Sequence, residues 1–259
     1  MEIPLYQIDA YASNLFEGNP AAVCPLTEWL PEKKMQSIAQ ENNLSETAFF
    51  VPTGRGFGIR WFTPAKEVDL CGHGTLATAY VLFNILGYKG DKIEFDSKSG
   101  RLNVTRDKDW LVLDFPAQPP VICKIPHKAS KAFGSEPLEC LKSRDYILVF
   151  ENESDIIAAN PDLRLLMDLD LRGVIITAKS NKYDFVVRFF VPKYGVSEDP
   201  VTGSAYTQLT PYWSHVTGSK KFFAKQLSSR GGEVVCRLVD DRVLIAGQAI
   251  KYLEGRIQI

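Results

Sequence analysis

Few residues of this chain have reactive chemistry to offer: Glu46, Cys71, His73, Asp199 and Ser204 stand out by their surroundings. Glu46 lies in Asn43-Leu44-Ser45-Glu46-Thr47-Ala48, just ahead of the apolar Phe49-Phe50-Val51. That setting predicts a partly buried carboxyl, whose pKa rises because its charged form loses water. Such a group accepts a proton and returns it near neutral pH, as general acid–base catalysis requires. The competing local reading is a solvated Glu46 beside a cap formed by Ser45 or Asn43. His73, between two glycines in Cys71-Gly72-His73-Gly74, has little side-chain packing of its own and is a hydrogen-bonding candidate for a substrate or for Glu46. Cys71 reads either as a thiol activated by a helix start or as a small buried apolar group, and the second reading is preferred. Asp199 is the equivalent polar group late in the chain.

Each of these clusters opens onto small residues: Gly72 and Gly74 in the first, Gly203 and Ser204 in the second. Glycine lets backbone approach a ligand closely. A helix start beyond it presents unpaired N–H groups and partial positive charge to an anion. Two such starts turned to one cleft would hold a substrate carboxylate, or a developing enolate-like charge, through Gly72–Thr75 and Thr202–Ala205. The plainer alternative is that the glycines close tight turns while Asp69 and Asp199 are ordinary caps.

The elements that must position these groups are written twice. Arg60-Trp61-Phe62-Thr63-Pro64, followed by Asp69 and the Gly72 loop, is matched by Arg188-Phe189-Phe190-Val191-Pro192, followed by Asp199 and the Gly203 loop. The match continues from Ser97–Val104 to Ser228–Val235 and from Asp109–Leu113 to Asp241–Ile245. Internal self-similarity of this kind signals architecture. It predicts two similar lobes, each a sheet curled around one long apolar helix. Glu46 has no partner in the second half.

Strand patterns dominate: Ile3–Asp9, Phe57–Phe62, Leu102–Thr105, Trp110–Phe115, Tyr146–Phe150, Gly173–Thr177, Phe185–Val191, Glu233–Val239 and Val243–Ala246. Helical patterns cover Pro31–Gln40, Gly74–Leu86, Asp162–Met167 and Ser204–His215. Pro116-Ala117-Gln118-Pro119-Pro120 removes backbone donors and ends strand pairing, which places a lobe boundary near residue 116. The lobes are therefore expected at 1–116 and 117–259, with the last strand free to cross back to the first. Ser228-Ser229-Arg230-Gly231-Gly232 reads as a hairpin turn.

Composition narrows the function. The chain has 259 residues, 45% apolar content and a formal net charge of −1. No basic tract addresses nucleic acid or a membrane, and no apolar run approaches a membrane span. The start, Met1-Glu2-Ile3-Pro4, lacks the features of a signal peptide. Five scattered cysteines without a CxxC read as reduced thiols, and three dispersed histidines propose no metal site. A cytoplasmic, metal-free handler of small molecules is expected. Neither a P-loop, a GxSxG elbow nor a GxGxxG fingerprint occurs, which disfavours nucleotide use and serine hydrolysis.

Several motifs taken together resemble the PhzF family, the phenazine-biosynthesis-like proteins with a diaminopimelate epimerase fold. They are Glu17–Val23, Asn43–Phe49, Arg60–Pro64, Leu70–Thr75 and Glu198–Ala205, and they run in family order along nearly the whole chain. The resemblance implies an α+β fold of two pseudo-symmetric lobes, each a mixed sheet or barrel around a central helix. It implies a cofactor-independent isomerase that moves a proton on a small carboxylated metabolite, working as a homodimer. By the same resemblance Glu46 shuttles the proton, with His73, Asp199 and Ser204 lining the site. Gly72, Gly74, Thr75, Thr202, Gly203 and Asn19 complete the substrate-binding set. Epimerases of this fold oppose two cysteines, and here the second position reads Pro200, which disfavours racemisation. A binding protein without catalysis on the same scaffold is the other reading.

Overall fold

Apolar runs cut by Gly, Pro and Asp fold as strands along most of the chain, in a computed structural model that describes residues 1–259. The chain divides into two units, Met1–Asp114 with Ala246–Ile259, and Phe115–Ile245. In the first lie β1 (Glu2–Ala10), β2 (Asn19–Pro25), α1 (Glu32–Asn42), β3 (Glu46–Thr53), β4 (Gly56–Phe62), β5 (Glu67–Val68), α2 (Gly72–Tyr80), β6 (Lys92–Ser97), β7 (Gly100–Asp107) and most of β8 (Trp110–Pro116). The C-terminal strand, Ala249–Gln258, belongs to this unit and pairs antiparallel with β1. The second unit holds β9 (Val121–Ile122), α3 (His127–Phe133), β10 (Glu139–Lys142), β11 (Tyr146–Val149), α4 (Glu153–Ala158), α5 (Leu163–Met167), β12 (Val174–Lys179), β13 (Phe185–Val191), β14 (Val196–Glu198), α6 (Gly203–Thr217), β15 (Lys221–Gln226), β16 (Gly232–Val239) and most of β17 (Arg242–Gly247).

The duplication is visible in the order of pairing senses. In the first unit β2 runs parallel to β3, β3 antiparallel to β4, β4 antiparallel to β5 and parallel to β6, and β6 antiparallel to β7. In the second unit β11, β12, β13, β14, β15 and β16 repeat that order step for step. The turns agree as well, since Lys108 between β7 and β8 and Asp240 between β16 and β17 have positive φ values of 55° and 52°. The stretch Ser228–Gly232 does connect two antiparallel strands, β15 and β16.

One arginine in each unit braces the repeated strand. Arg60 on β4 forms two hydrogen bonds to Glu67 on β5, both 2.7 Å, and its guanidinium lies 5.3 Å from the Phe62 ring centre. Arg188 on β13 donates to Glu198 on β14 at 2.7 and 2.8 Å, and lies 5.0 Å from the Phe190 ring centre. A planar fork matched to a carboxylate fixes the angle of the short strand that leads into the helix.

Both central helices are buried around most of their circumference, the mark of a helix enclosed by its sheet. Every residue of α2 from His73 to Ala79 is buried, and so are most of α6 from Gly203 to Trp213. The sequence pattern predicts a helix over Gly74–Leu86; the α-helix instead widens at Val81–Ile85 into a π segment, with Leu86 N–H bonded to Val81 C=O. Pro211 sits inside α6 and removes the donor that Thr207 C=O would use. The amide of Gln118, from the proline-rich stretch, supplies it at 2.9 Å. No helix of the protein is long and apolar enough to cross a membrane.

Candidate functional site

Parallel pairing of β2 with β3 sets Ala21 opposite Glu46, so Asn19 and Glu46 emerge near neighbouring strand starts. The start of α2 brings the third component. His73 Nε2 lies 2.9 Å from Glu46 Oε2, and the Asn19 amide nitrogen lies 3.2 Å from His73 Nδ1. The Glu46 and His73 side chains are 18% and 8% exposed, so the pair is largely withdrawn from water yet reachable. The solvated reading of Glu46 therefore does not hold.

Cys71 is the N-cap of α2. Its Sγ accepts from Gly74 N–H at 3.3 Å, and its carbonyl accepts from both the amide and the hydroxyl of Thr75, at 3.1 and 2.6 Å. The Gly72 and His73 amides have no acceptor within the protein and stay open for an anion. Gly74 is required by space, because a Cβ there would lie 2.9 Å from both Cys71 Sγ and Trp61 Cδ1. Trp61 is buried with no acceptor for its Nε1–H. Nothing in a strand of aromatic residues separates such a tryptophan from ordinary core, so the sequence did not mark it.

Charge in this cluster is shared. Burial opposes the charged His73 ring, but the sulfur of Cys71 and then the Glu46 carboxylate outweigh it and raise the imidazole pKa well above its usual range. The Cys71 thiol is pushed up, first by burial and then by Glu46, so it stays protonated at neutral pH. That direction favours reading Cys71 as a small buried group over an activated thiol. A neutral ring accepts from the Asn19 amide nitrogen that faces Nδ1, whereas a charged ring donates from Nδ1 and requires the amide to turn its oxygen there.

One ligand atom from each of Glu46, Cys71 and His73 lies within 4.8 Å of the others. The dispersed histidines gave no hint of this grouping, which joins thiol, imidazole and carboxylate donors of the kinds zinc takes. As thiol and imidazolium, two of the three present hydrogens rather than lone pairs. They could hold a metal only after losing both protons.

Asp199, Thr202, Gly203 and Ser204 gather at the start of α6 in the second unit. Asp199 accepts a short hydrogen bond from the Thr202 hydroxyl. Buried Gln226 latches the loop, accepting from Thr202 N–H at 2.9 Å and donating to Asp199 C=O at 2.7 Å. The Gly203 and Ser204 amides are open, as at the start of α2. Ser204 Oγ accepts from Arg172 at 3.1 Å, which leaves its own hydrogen to donate. Arg172 in turn grips the fully buried Asp145 with bonds of 2.8 and 2.5 Å, and Gln208 donates to the same carboxylate at 2.7 Å. Neither Arg172 nor Asp145 was marked in the sequence.

The family model for phenazine biosynthesis-like proteins, PhzC-PhzF, matches residues 8–255. The chain belongs to this family. An uncharacterized isomerase of Pseudomonas aeruginosa is 47% identical over 259 residues, covering 100% of both chains. The crystal structure of a PhzF family protein from Enterococcus faecalis superposes with a TM-score of 0.98 at 44% identity, again over 100% of both. The fold reaches further: a hydroxyproline epimerase from Agrobacterium vitis has a TM-score of 0.62 at 9% identity, covering 99% of this chain and 92% of its own. The PhzF chain thus has the expected α+β, diaminopimelate epimerase-like fold.

Within that fold the helix starts correct one assignment. Cys71 caps α2, and the cap of α6 is Thr202. The position matching Cys71 is therefore Thr202 and not Pro200, two residues earlier. The second unit still offers no thiol there. The cross-strand register shows why Glu46 has no counterpart: Thr47 faces Phe62 and Val174 faces the matching Phe190, so the position equivalent to Glu46 is Gly173, which has no side chain.

Proposed function

We propose that this PhzF family protein is an isomerase that moves a proton between two carbons of a small carboxylated substrate, with Glu46 as the carrier. The observation that supports it is the 2.9 Å approach of Glu46 to the buried His73 beside two open helix amides. The Gly72 and His73 amides hold the substrate carboxylate, and the helix dipole favours its charge. Glu46 takes a proton from the carbon next to that carboxylate. The electron pair delocalises into an enolate-like anion, which the His73 imidazolium and the open amides stabilise. Glu46 then returns the proton to a different carbon, so the substrate's atoms are conserved and no cofactor enters the balance. Asn19 holds the His73 ring in place. With one carboxyl and no opposing thiol, proton removal and return occur on one face, which favours isomerisation over racemisation.

Solvent exchange tests the proposal. Cyclic and acyclic unsaturated carboxylic acids are incubated with the protein in D2O and followed by NMR for loss of carbon-bound hydrogen. Exchange with the native protein, reduced by roughly 100- to 10,000-fold in Glu46→Gln, is expected. Equal exchange in the two proteins refutes Glu46 as the carrier.

A further inference from the structure

Two of the five cysteines, 17 residues apart in sequence, meet in the second unit away from any group used above. Leu141 pairs with Ile122 and Lys142 with Val121, so the same antiparallel register sets Cys140 opposite Cys123. Cys123 N–H donates to Cys140 C=O at 2.9 Å, and the two sulfurs lie 3.4 Å apart. Residues facing each other in antiparallel register hold their Cα atoms about 4.5–5.5 Å apart, inside the span that a disulfide bridges. We infer that Cys123 and Cys140 are an oxidation site at which a hydroperoxide converts two thiols into a disulfide.

The two thiols have different tasks. Cys123 is partly exposed and follows Ile122, which is 80% exposed, so an oxidant reaches it from solvent. Cys140 is buried, and that burial, with Cys123 beside it, pushes its thiol up to about 12. Cys123 is therefore the attacking residue. Its thiol gives up its proton as the sulfur bonds to the hydroxyl oxygen of the peroxide, the O–O bond breaks, and the departing alkoxide or hydroxide takes that proton. The sulfur is oxidised to a sulfenic acid while the peroxide is reduced to alcohol or water. Cys140 sulfur then attacks the sulfenic sulfur, the S–O bond breaks, and hydroxide leaves with the Cys140 proton as water. Cys123 also stays close to its resolving partner, which protects the sulfenic acid from further oxidation.

The bond would close a loop around α3, whose Phe133 ring packs 5.7 Å from Phe190 and 6.1 Å from Phe150. Tying this segment to β10 restricts the unfolded chain. The thermal midpoint of the oxidised protein should accordingly rise by roughly 5–10 °C and fall back on treatment with dithiothreitol.

The full-length protein is treated with stoichiometric hydrogen peroxide, alkylated in denaturant and mapped by mass spectrometry. The expected product is one peptide pair joined through Cys123 and Cys140, lighter by two hydrogen atoms, with Cys24, Cys71 and Cys236 alkylated. In Cys140→Ser the sulfenic acid on Cys123 should persist and be trapped by dimedone. Cys123→Ser, changed at the less buried position, should show neither disulfide nor dimedone adduct on Cys140. Alkylation of both cysteines in the treated native protein, or passage of Cys123 to sulfinic acid with no linked peptide, overturns the inference.

Discussion

His73 Nε2 and Glu46 Oε2 stand 2.9 Å apart, joined from a helix start and a strand start that are 27 residues apart in sequence. Proximity of this kind couples their charges, and the coupling has a measurable direction. Cys71 and Glu46 raise the His73 pKa against burial. The charged ring is thus favoured by folding. Its contribution is fully present below the unfolded histidine value of about 6.5 and is lost as pH rises through the higher folded value. The stability advantage of the native protein over His73→Gln should therefore shrink as pH climbs from about 6.5 into the alkaline range, measured by urea unfolding. In an NMR titration the His73 ring should remain imidazolium at pH 7 and titrate lower in Glu46→Gln. A ring already neutral at pH 7 would contradict the charge assignment.

Gly74→Ala tests how tightly the site is packed. The added methyl meets Cys71 Sγ and Trp61 Cδ1, each at 2.9 Å. The sulfur is held as a helix cap and the indole is buried, so neither retreats freely. Overpacking of this sort costs roughly 1–3 kcal/mol. The denaturant midpoint should fall accordingly, and His73 chemical shifts should move with it. An unchanged midpoint would show that the α2 start yields easily.

Much of this arrangement was legible in the sequence because duplication doubles the signal. Arg60 and Arg188 announced a strand in each half, but the acidic residues marked by the repeat, Asp69 and Asp199, are not the ones the arginines grip, which are Glu67 and Glu198. Gly72 and Gly203 marked the helix starts for the same reason. The Asp145–Arg172–Ser204 network was hidden: its members lie 27 and 32 residues apart with no shared motif, and only the fold brings them together. The counterpart of Cys71 was misplaced at Pro200, since the order Asp199-Pro200-Val201-Thr202 does not reveal which residue begins the helix. The strand carrying Glu46 went unassigned, because a short apolar run such as Phe49-Phe50-Val51 has no periodicity that separates a strand from a buried helix. Short polar helices such as α3 and α4 gave too weak a pattern to register.

Removing Arg172 should cost more than removing the hydroxyl it supports. Arg172→Met leaves the wholly buried Asp145 carboxylate with Gln208 as its side-chain hydrogen-bond donor and only the unbonded charge of Arg144 to oppose its own. Breaking one side of such a pair costs about 3–5 kcal/mol, whereas Ser204→Ala, which loses a single hydrogen bond, costs about 1 kcal/mol. Chemical denaturation of the two variants side by side measures the difference. Equal losses would mean that the pair contributes no more than one ordinary contact.

The two braced arginines invite a paired test. Hydrogen bonds from Arg60, opposed by burial and aided by Lys98, hold the Glu67 carboxyl below its ordinary range. A lowered folded value means that the contribution is present above the unfolded glutamate value of about 4.3 and is lost as pH falls through the folded one. Arg60→Met should thus destabilise the protein by about 1–2 kcal/mol at pH 7, and by progressively less on acidification. Arg188→Met removes the matching brace, together with bonds of 3.1 and 2.6 Å from its Nη1 to the Ile156 and Ala159 carbonyls. Because it strands two carbonyls as well as a carboxylate, its effect at pH 7 should exceed that of Arg60→Met. Urea midpoints at pH 7 and pH 4 measure both effects. A larger loss for Arg60→Met would show that the carboxylate fork, rather than the carbonyl anchors, dominates the second brace too.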